Sequence, residues 1–290
     1  MIILAQQLIL GCMIGGLYGL AAVGLSLIFG VLKVLNVAHG ELIMFGGYGA
    51  YWLFTLVGVD PFTSLTLVVP AAVVAGLALY WMLFRFVVRA QEEVRIKNSL
   101  LIGFGLALAL DTLAVRLWTA DERAITAPYA GTALIIGDLA IPLVRLASLI
   151  VAFALIAALH LLLTHWRWGR AIRATAEDWQ AALLTGIDVR RAYLLAFALG
   201  TGLAGAAGTL VSVGYSVGPS IGLGWTLKAL IVVVLAGLGS IFGTFAGGLF
   251  LGVAEAASAA AFGGPYREVV GLVIFLVVLM ARPQGLFGAR

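Results

Sequence analysis

The chain has 290 residues, 63% of them hydrophobic and 10% charged, with a formal net charge of +4. A soluble domain carries about 25% charged residues, so this composition, with a mean hydropathy of +1.15, excludes one and points to a protein built within a bilayer. The positive balance does not indicate nucleic acid, because the basic residues gather between apolar runs instead of forming one continuous patch.

Apolar runs of about 20 residues recur along the whole length, and each can cross about 30 Å of hydrocarbon as a helix. The short alternating segments of a transmembrane barrel are absent. The expected fold is therefore all-α: one polytopic transmembrane helical bundle over 1–290, with about eight to ten membrane segments, some broken or short. The first run, Leu8 to Val57, has no Lys or Arg before Lys33, so it reads as membrane segment and not as a secretory leader. Cys12 lies within it and, as the single cysteine, excludes an intrachain disulfide. This run is too long for one crossing and must turn near 34–41, where "LNVAHGELIMFGGY" sets Asn36, His39 and Glu41 in apolar surroundings. Its second arm, 42–57, spans only about 24 Å as a helix, which leaves part of the patch at membrane depth. Non-helical backbone there must be buried in protein or line a watery cavity. The patch is therefore a pathway or gate, or a structural cap at a helix break, with Gly40 favouring a turn.

Arg85, Arg89, Arg95 and Lys97 form the next basic group, and Arg167, Arg170, Arg173, Arg190 and Arg191 a later one; Arg282 and Arg290 close the chain. Cytoplasmic loops accumulate such residues, so these three regions are assigned inside and 119–142, with Asp121, Glu122 and Asp138, outside. Crossings are expected at 98–118, 143–164, 191–213 and 266–281, and Asp111 is expected to pair with nearby Arg116. The apolar stretch Trp225–Ala261 is interrupted by "GLGSIFG" at 237–243, leaving a first arm, 226–240, of about 22 Å. Short, glycine-interrupted segments in two halves of a transporter point to its pathway. Gly237, Gly239, Ser240 and Glu255 thus join Asn36, His39, Gly40 and Glu41 as candidate pathway or gate residues. Lys228 and Glu255 fall within apolar spans, where a charge costs about 2.5–3.5 kcal/mol and needs a partner, water or a proton. Among the 37 glycines, Gly11, Gly15 and Gly19, Gly243 with Gly247, and Gly248 with Gly252 have the spacing that lets membrane helices approach closely.

The longest polar interruption inside is 165–191. Its spacing predicts a helix from Arg170 to Thr185 with Ile172, Ala176, Trp179 and Leu183 on one stripe, Arg173 paired with Glu177, and Gly186 as the C-terminal stop. Such a helix either rests on the lipid surface or docks into a partner protein.

The segment "GRAIRATAEDWQAALLTGID" resembles the cytoplasmic loop of bacterial branched-chain amino acid ABC permeases, as do "GVLKVLNVAHGELIMFGGY", "KALIVVVLAGLGSIFGTFAGGLFLG" and "RPQGLFG". These motifs stand in the family's order from residue 30 to 288, and the chain most resembles the first, shorter permease of the pair. The resemblance implies that 165–191 is the coupling segment that fits the ATPase, with Gly169, Arg170, Arg173, Ala174, Glu177, Asp178 and Gly186 as its coupling residues. It also implies branched-chain amino acids or related small solutes as cargo, in the bacterial inner membrane. The implied partners are a second homologous permease, two ABC ATPase subunits and an extracytoplasmic solute-binding protein. No G-x-x-x-x-G-K-[ST] occurs, so no cofactor is expected on this chain and ATP would be used by the partner subunits. An enzyme has little support: His160 and His165 are five apart, and no His-Glu-x-x-His or Gly-x-Ser-x-Gly is present. The alternative is an ion-coupled secondary transporter or channel using Asp111, Glu41 or Glu255, which would have no need of the 165–191 helix.

Overall fold

The computed structural model describes residues 2–237, 240–282 and 284–286. Helix α1 (Ile2–Leu32) is followed by an extended stretch and by α2 (His39–Trp52), which continues through a π-helical turn at Leu53–Val57. Asp60 starts α3 (Pro61–Leu79) by accepting from Phe62 N at 2.9 Å, with Pro61 at the first helical position. A second π-helical turn, Tyr80–Phe84, leads to the short α4 (Arg85–Val87) and then to α5 (Glu92–Trp118). Next come α6 (Leu143–His165), α7 (Arg167–Glu177) and α8 (Trp179–Leu184), followed by α9 (Val189–Gly214). The chain ends with α10 (Ile221–Ala236), α11 (Ile241–Phe262) and α12 (Tyr266–Ala281).

Six of these helices, α1, α3 with its continuation, α5, α6, α9 and α11, are long and apolar enough to cross a membrane. That is fewer than the eight to ten segments expected from sequence, because α2, α10 and α12 are short: the 16 residues of α10 rise only about 24 Å. The chain is a multi-pass helical membrane protein. Its centre is α1 and α9, whose most apolar stretches are 78% and 83% buried against protein, whereas α5 is buried over only 11% of its stretch and presents its apolar surface outward.

Glycine is what lets the central helices meet. A methyl group on Gly15 would sit 2.7 Å from the Gly248 carbonyl oxygen of α11, and one on Gly24 would sit 2.8 Å from the Gly200 carbonyl oxygen of α9. Gly11 and Gly19 continue the first seam against Gly252 and Phe245, and Gly46 of α2 lies on Gly205 of α9. Without a hydrophobic force between helices in lipid, this close backbone approach supplies the packing energy.

The loop 119–142 carries an antiparallel hairpin, β1 (Ala133–Ile136) and β2 (Leu139–Pro142), turned at Gly137 with φ +61°. The sequence reading missed it, although a Gly-Asp pair between two short apolar runs is a hairpin signal. Arg123 and Val217 exchange backbone hydrogen bonds of 2.8 and 2.7 Å, tying this loop to the α9–α10 connection. Tyr129 donates to Asp60, and burial, reinforced by that carboxylate, keeps its phenol above its ordinary range. The expected Asp111–Arg116 ion pair does not form among the described residues. Five positions apart on a helix is not a facing arrangement.

Candidate functional site

Residues 33–38 are not helical, and α5 and α10 bond to part of the backbone in and beside this stretch. Arg95 donates to Leu32 O at 3.1 Å, and Leu35 N donates to Ser99 Oγ at 3.0 Å. Thr226 of α10 donates through its hydroxyl to Val37 O at 3.0 Å and accepts from Gly40 N at 2.8 Å. The residue preceding α2, Ala38, has no side chain able to cap, so Thr226 caps the helix from a neighbouring element. The N-terminus of α2 lies at depth: His39 is fully buried and its Nε2 donates to Ala21 O at 2.9 Å, midway along α1. That bond leaves Nδ1 bare and without a partner. Gly40 is helical and not part of a turn as expected; it is small because its Cα packs against Thr226 and the Gly222 backbone. Glu41, 4% exposed, abuts Gly222 of α10, where a methyl group would overlap its carboxylate. Asn36 is fully buried, and neither amide atom has a partner among the described residues.

The other candidate pathway residues fall elsewhere. Gly237, at φ +85°, ends α10 and Ser240 caps α11 by accepting from Gly243 N at 3.0 Å. Gly237 lies about 16 Å along α10 from Thr226, at the end where Leu286 N donates to Leu235 O at 2.8 Å, and Ser240 follows beyond that end. Gly239 lies outside the described residues. Glu255 is fully buried, pairs with Lys228 and with Arg267 (3.2 Å), and accepts from Tyr18 Oη at 3.1 Å. Lys228 is two positions from Thr226, hence on the opposite side of α10, so this cluster is separate from the Asn36–Glu41 patch.

The 165–191 segment is two helices, not one. Asp178 leaves the helical region (φ −151°, ψ 105°) and its Oδ1 accepts from Gln180 N at 2.8 Å and Ala181 N at 3.0 Å, so it ends α7 and caps α8. Aspartate competes with helix backbone and favours a cap; "EDWQ" carried that signal. The break divides the expected stripe: Ile172 is buried, whereas Trp179, Leu183 and Leu184 are exposed, Leu184 at 89%. Gly169 is buried, folding α7 back against Leu163 at the end of α6. Ala174 is half-buried, and Arg170, Arg173, Glu177, Asp178 and Gly186 point outward. Arg173 and Glu177 form no ion pair among the described residues. Gly186 stops α8 with φ +83°, as expected.

Residues 8–281 match the family model described as branched-chain amino acid transport system, permease component. The chain belongs to this family. The permease is 33% identical to the high-affinity branched-chain amino acid transport system permease protein BraD of Pseudomonas aeruginosa, over 98% of this chain and 95% of that protein. It is 32% identical to the permease protein LivH of Escherichia coli K12 over the same shares. It is 29% identical to a probable LivH of Methanocaldococcus jannaschii, over 93% and 88%. Within the permease, sequence reasoning found the patch on α2 but missed Thr226, Gly222, Tyr18 and Arg267. Thr226 and Gly222 carry no local pattern that ties them to residues more than 180 positions away.

Proposed function

We propose that the chain is the membrane-translocation subunit of an ATP-driven ABC importer that moves branched-chain amino acids, or related small solutes, into the cytoplasm of a bacterial cell across its inner membrane. In this reading the six long helices cross together with α2, α10 and α12, completing the eight to ten segments of one permease domain. A second homologous permease, two ABC ATPase subunits and an extracytoplasmic solute-binding protein complete the machine. This chain itself holds no cofactor, and ATP is used by the partner chains. The observation that carries the proposal is the α7–α8 element: a capped break and a glycine stop hold Trp179, Leu183 and Leu184 out from the body beside Arg170, Arg173 and Glu177. An apolar stripe with a charged rim is suited to a protein groove. Asn36, His39, Gly40 and Glu41, at the buried start of α2, serve as pathway or gate, and Gly237, Gly239, Ser240 and Glu255 are its further candidate residues.

The test is gentle extraction of the tagged chain from its own membrane, followed by identification of what accompanies it. Two P-loop ATPases and a related permease are expected. The chain emerging alone, where a control ABC complex survives the same extraction, would replace the importer with an ion-coupled carrier, the reading that Glu41 and Asp111 would then favour.

A further inference from the structure

Along α2, Glu41, Phe45, Tyr48 and Trp52 recur every three or four positions and share one face. That face lies against Ala114 and Trp118 of α5, and Asp111, three positions before Ala114, is on the same side of that helix. The seam between them holds a row of buried polar atoms without a partner among the described residues: Glu41 Oε2, Tyr48 Oη, Trp52 Nε1 and, at its far end, Nε of Arg123, whose Nη2 donates to Trp118 O at 2.8 Å. Neither Glu41 nor Asp111 has a cation within 4.0 Å among the described residues. Each unpartnered buried polar atom costs about 1–3 kcal/mol, and an isolated carboxylate at membrane depth costs more. Such groups persist where water or a ligand satisfies them. Glu255 shows the contrast, since its carboxylate is saturated by Lys228 and Arg267.

We propose that this seam is the path by which a small ammonium-bearing solute enters the membrane part: Arg123 at its mouth, Glu41 and Asp111 as its floor, and the Tyr48–Trp118 stack as the closed gate between them. The rings stack with centroids 4.1 Å apart and planes at 27°, and Phe45 meets Trp118 edge-on at 5.4 Å. The Arg123 guanidinium lies 5.3 Å from the Trp52 ring centre. A zwitterion meets groups suited to each end: the guanidinium draws its carboxylate to the mouth, ring faces favour its ammonium on the way in, and two carboxylates receive that ammonium. Within this chain α5 is buried over only 11% of its apolar stretch, so parting the stack at its Trp118 end disturbs few of its contacts. The inward direction rests on the importer reading; the seam itself does not.

The experiment labels single cysteines, Tyr48→Cys and Asp111→Cys, each in a Cys12→Ser background, from outside intact cells carrying the whole transporter. Two membrane-impermeant thiol reagents of similar size are used, one a quaternary ammonium and one a sulfonate, with Thr126→Cys in the outer loop as reference. Relative to Thr126→Cys, the cationic reagent is expected to modify Asp111→Cys about tenfold faster than the anionic one. Adding Glu41→Gln should remove that preference, and a branched-chain amino acid should slow the labelling. No modification at either position while Thr126→Cys reacts would overturn the proposal, as would equal preference with and without Glu41. Because Asp111 is on the outer helix, its variant reads the seam even where Tyr48→Cys fails to fold. Charge-selective labelling without ATP-dependent uptake would retain the seam and remove the importer.

Discussion

Glu41 and Glu255 are both buried carboxylates within apolar helices, and their surroundings give them opposite roles. Glu255 accepts from Tyr18 and pairs with Lys228 and Arg267, so it joins α1, α10, α11 and α12. Removing one member of such a group leaves uncompensated charge, which costs about 3–5 kcal/mol. Glu255→Ala should therefore lower the unfolding temperature of the detergent-solubilised permease sharply, and adding Lys228→Met should restore part of the loss, since Arg267 alone can turn its partly exposed side chain toward the surface. A double variant as unstable as the sum of both singles would mean that the cluster does not act as a unit. Sequence reading recognised that Glu255 and Lys228 needed partners. It could not say that they were each other's, because 27 residues and a helix break separate them.

At the scale of elements, the recurring device is a helix approached closely by another at glycine. The close-packing stripes of the α1–α11 seam were legible from spacing, since Gly11, Gly15 and Gly19 fall on one side of α1 and the same spacing marks Gly248 and Gly252, but that the two stripes meet each other was not. Gly15→Val puts atoms into the space now held by the Gly248 carbonyl and is expected to destabilise by about 1–3 kcal/mol, read as an earlier thermal unfolding transition. Gly105→Val, where nothing lies within 4 Å, should change little; equal effects would remove the packing account. Helix boundaries were less legible. A run of helix-compatible residues from Arg170 to Thr185 hides the break at Asp178, because apolar periodicity is carried across it while the capping preference of one aspartate decides the backbone.

In the proposed importer, the molecule must link the α7–α8 element to the buried start of α2. The route is physical: α7 packs on α6 and α9, α9 meets α2 at Gly46–Gly205, and α10 caps α2 through Thr226. Asp178→Ala removes a cap worth about 1 kcal/mol, and Gly186→Val forces a branched residue into φ +83° at about 1–2 kcal/mol. Neither touches the membrane core, so ATP hydrolysis by the assembled transporter should continue while uptake falls several-fold; undiminished uptake would remove α7–α8 as the coupling element. What the sequence alone determined is what depends on local pattern: the membrane class, the glycine stripes on α1 and α11, the interruptions near 34–41 and 237–243, and the motifs that match the permease family. What only the tertiary structure decided is which distant groups meet: Thr226 with Gly40, and Glu255 with Lys228 and Arg267. Periodicity specifies the face a residue occupies, but the neighbour across that face is chosen by packing of the whole bundle, where close glycine contacts and unpaired charge weigh more than sequence distance.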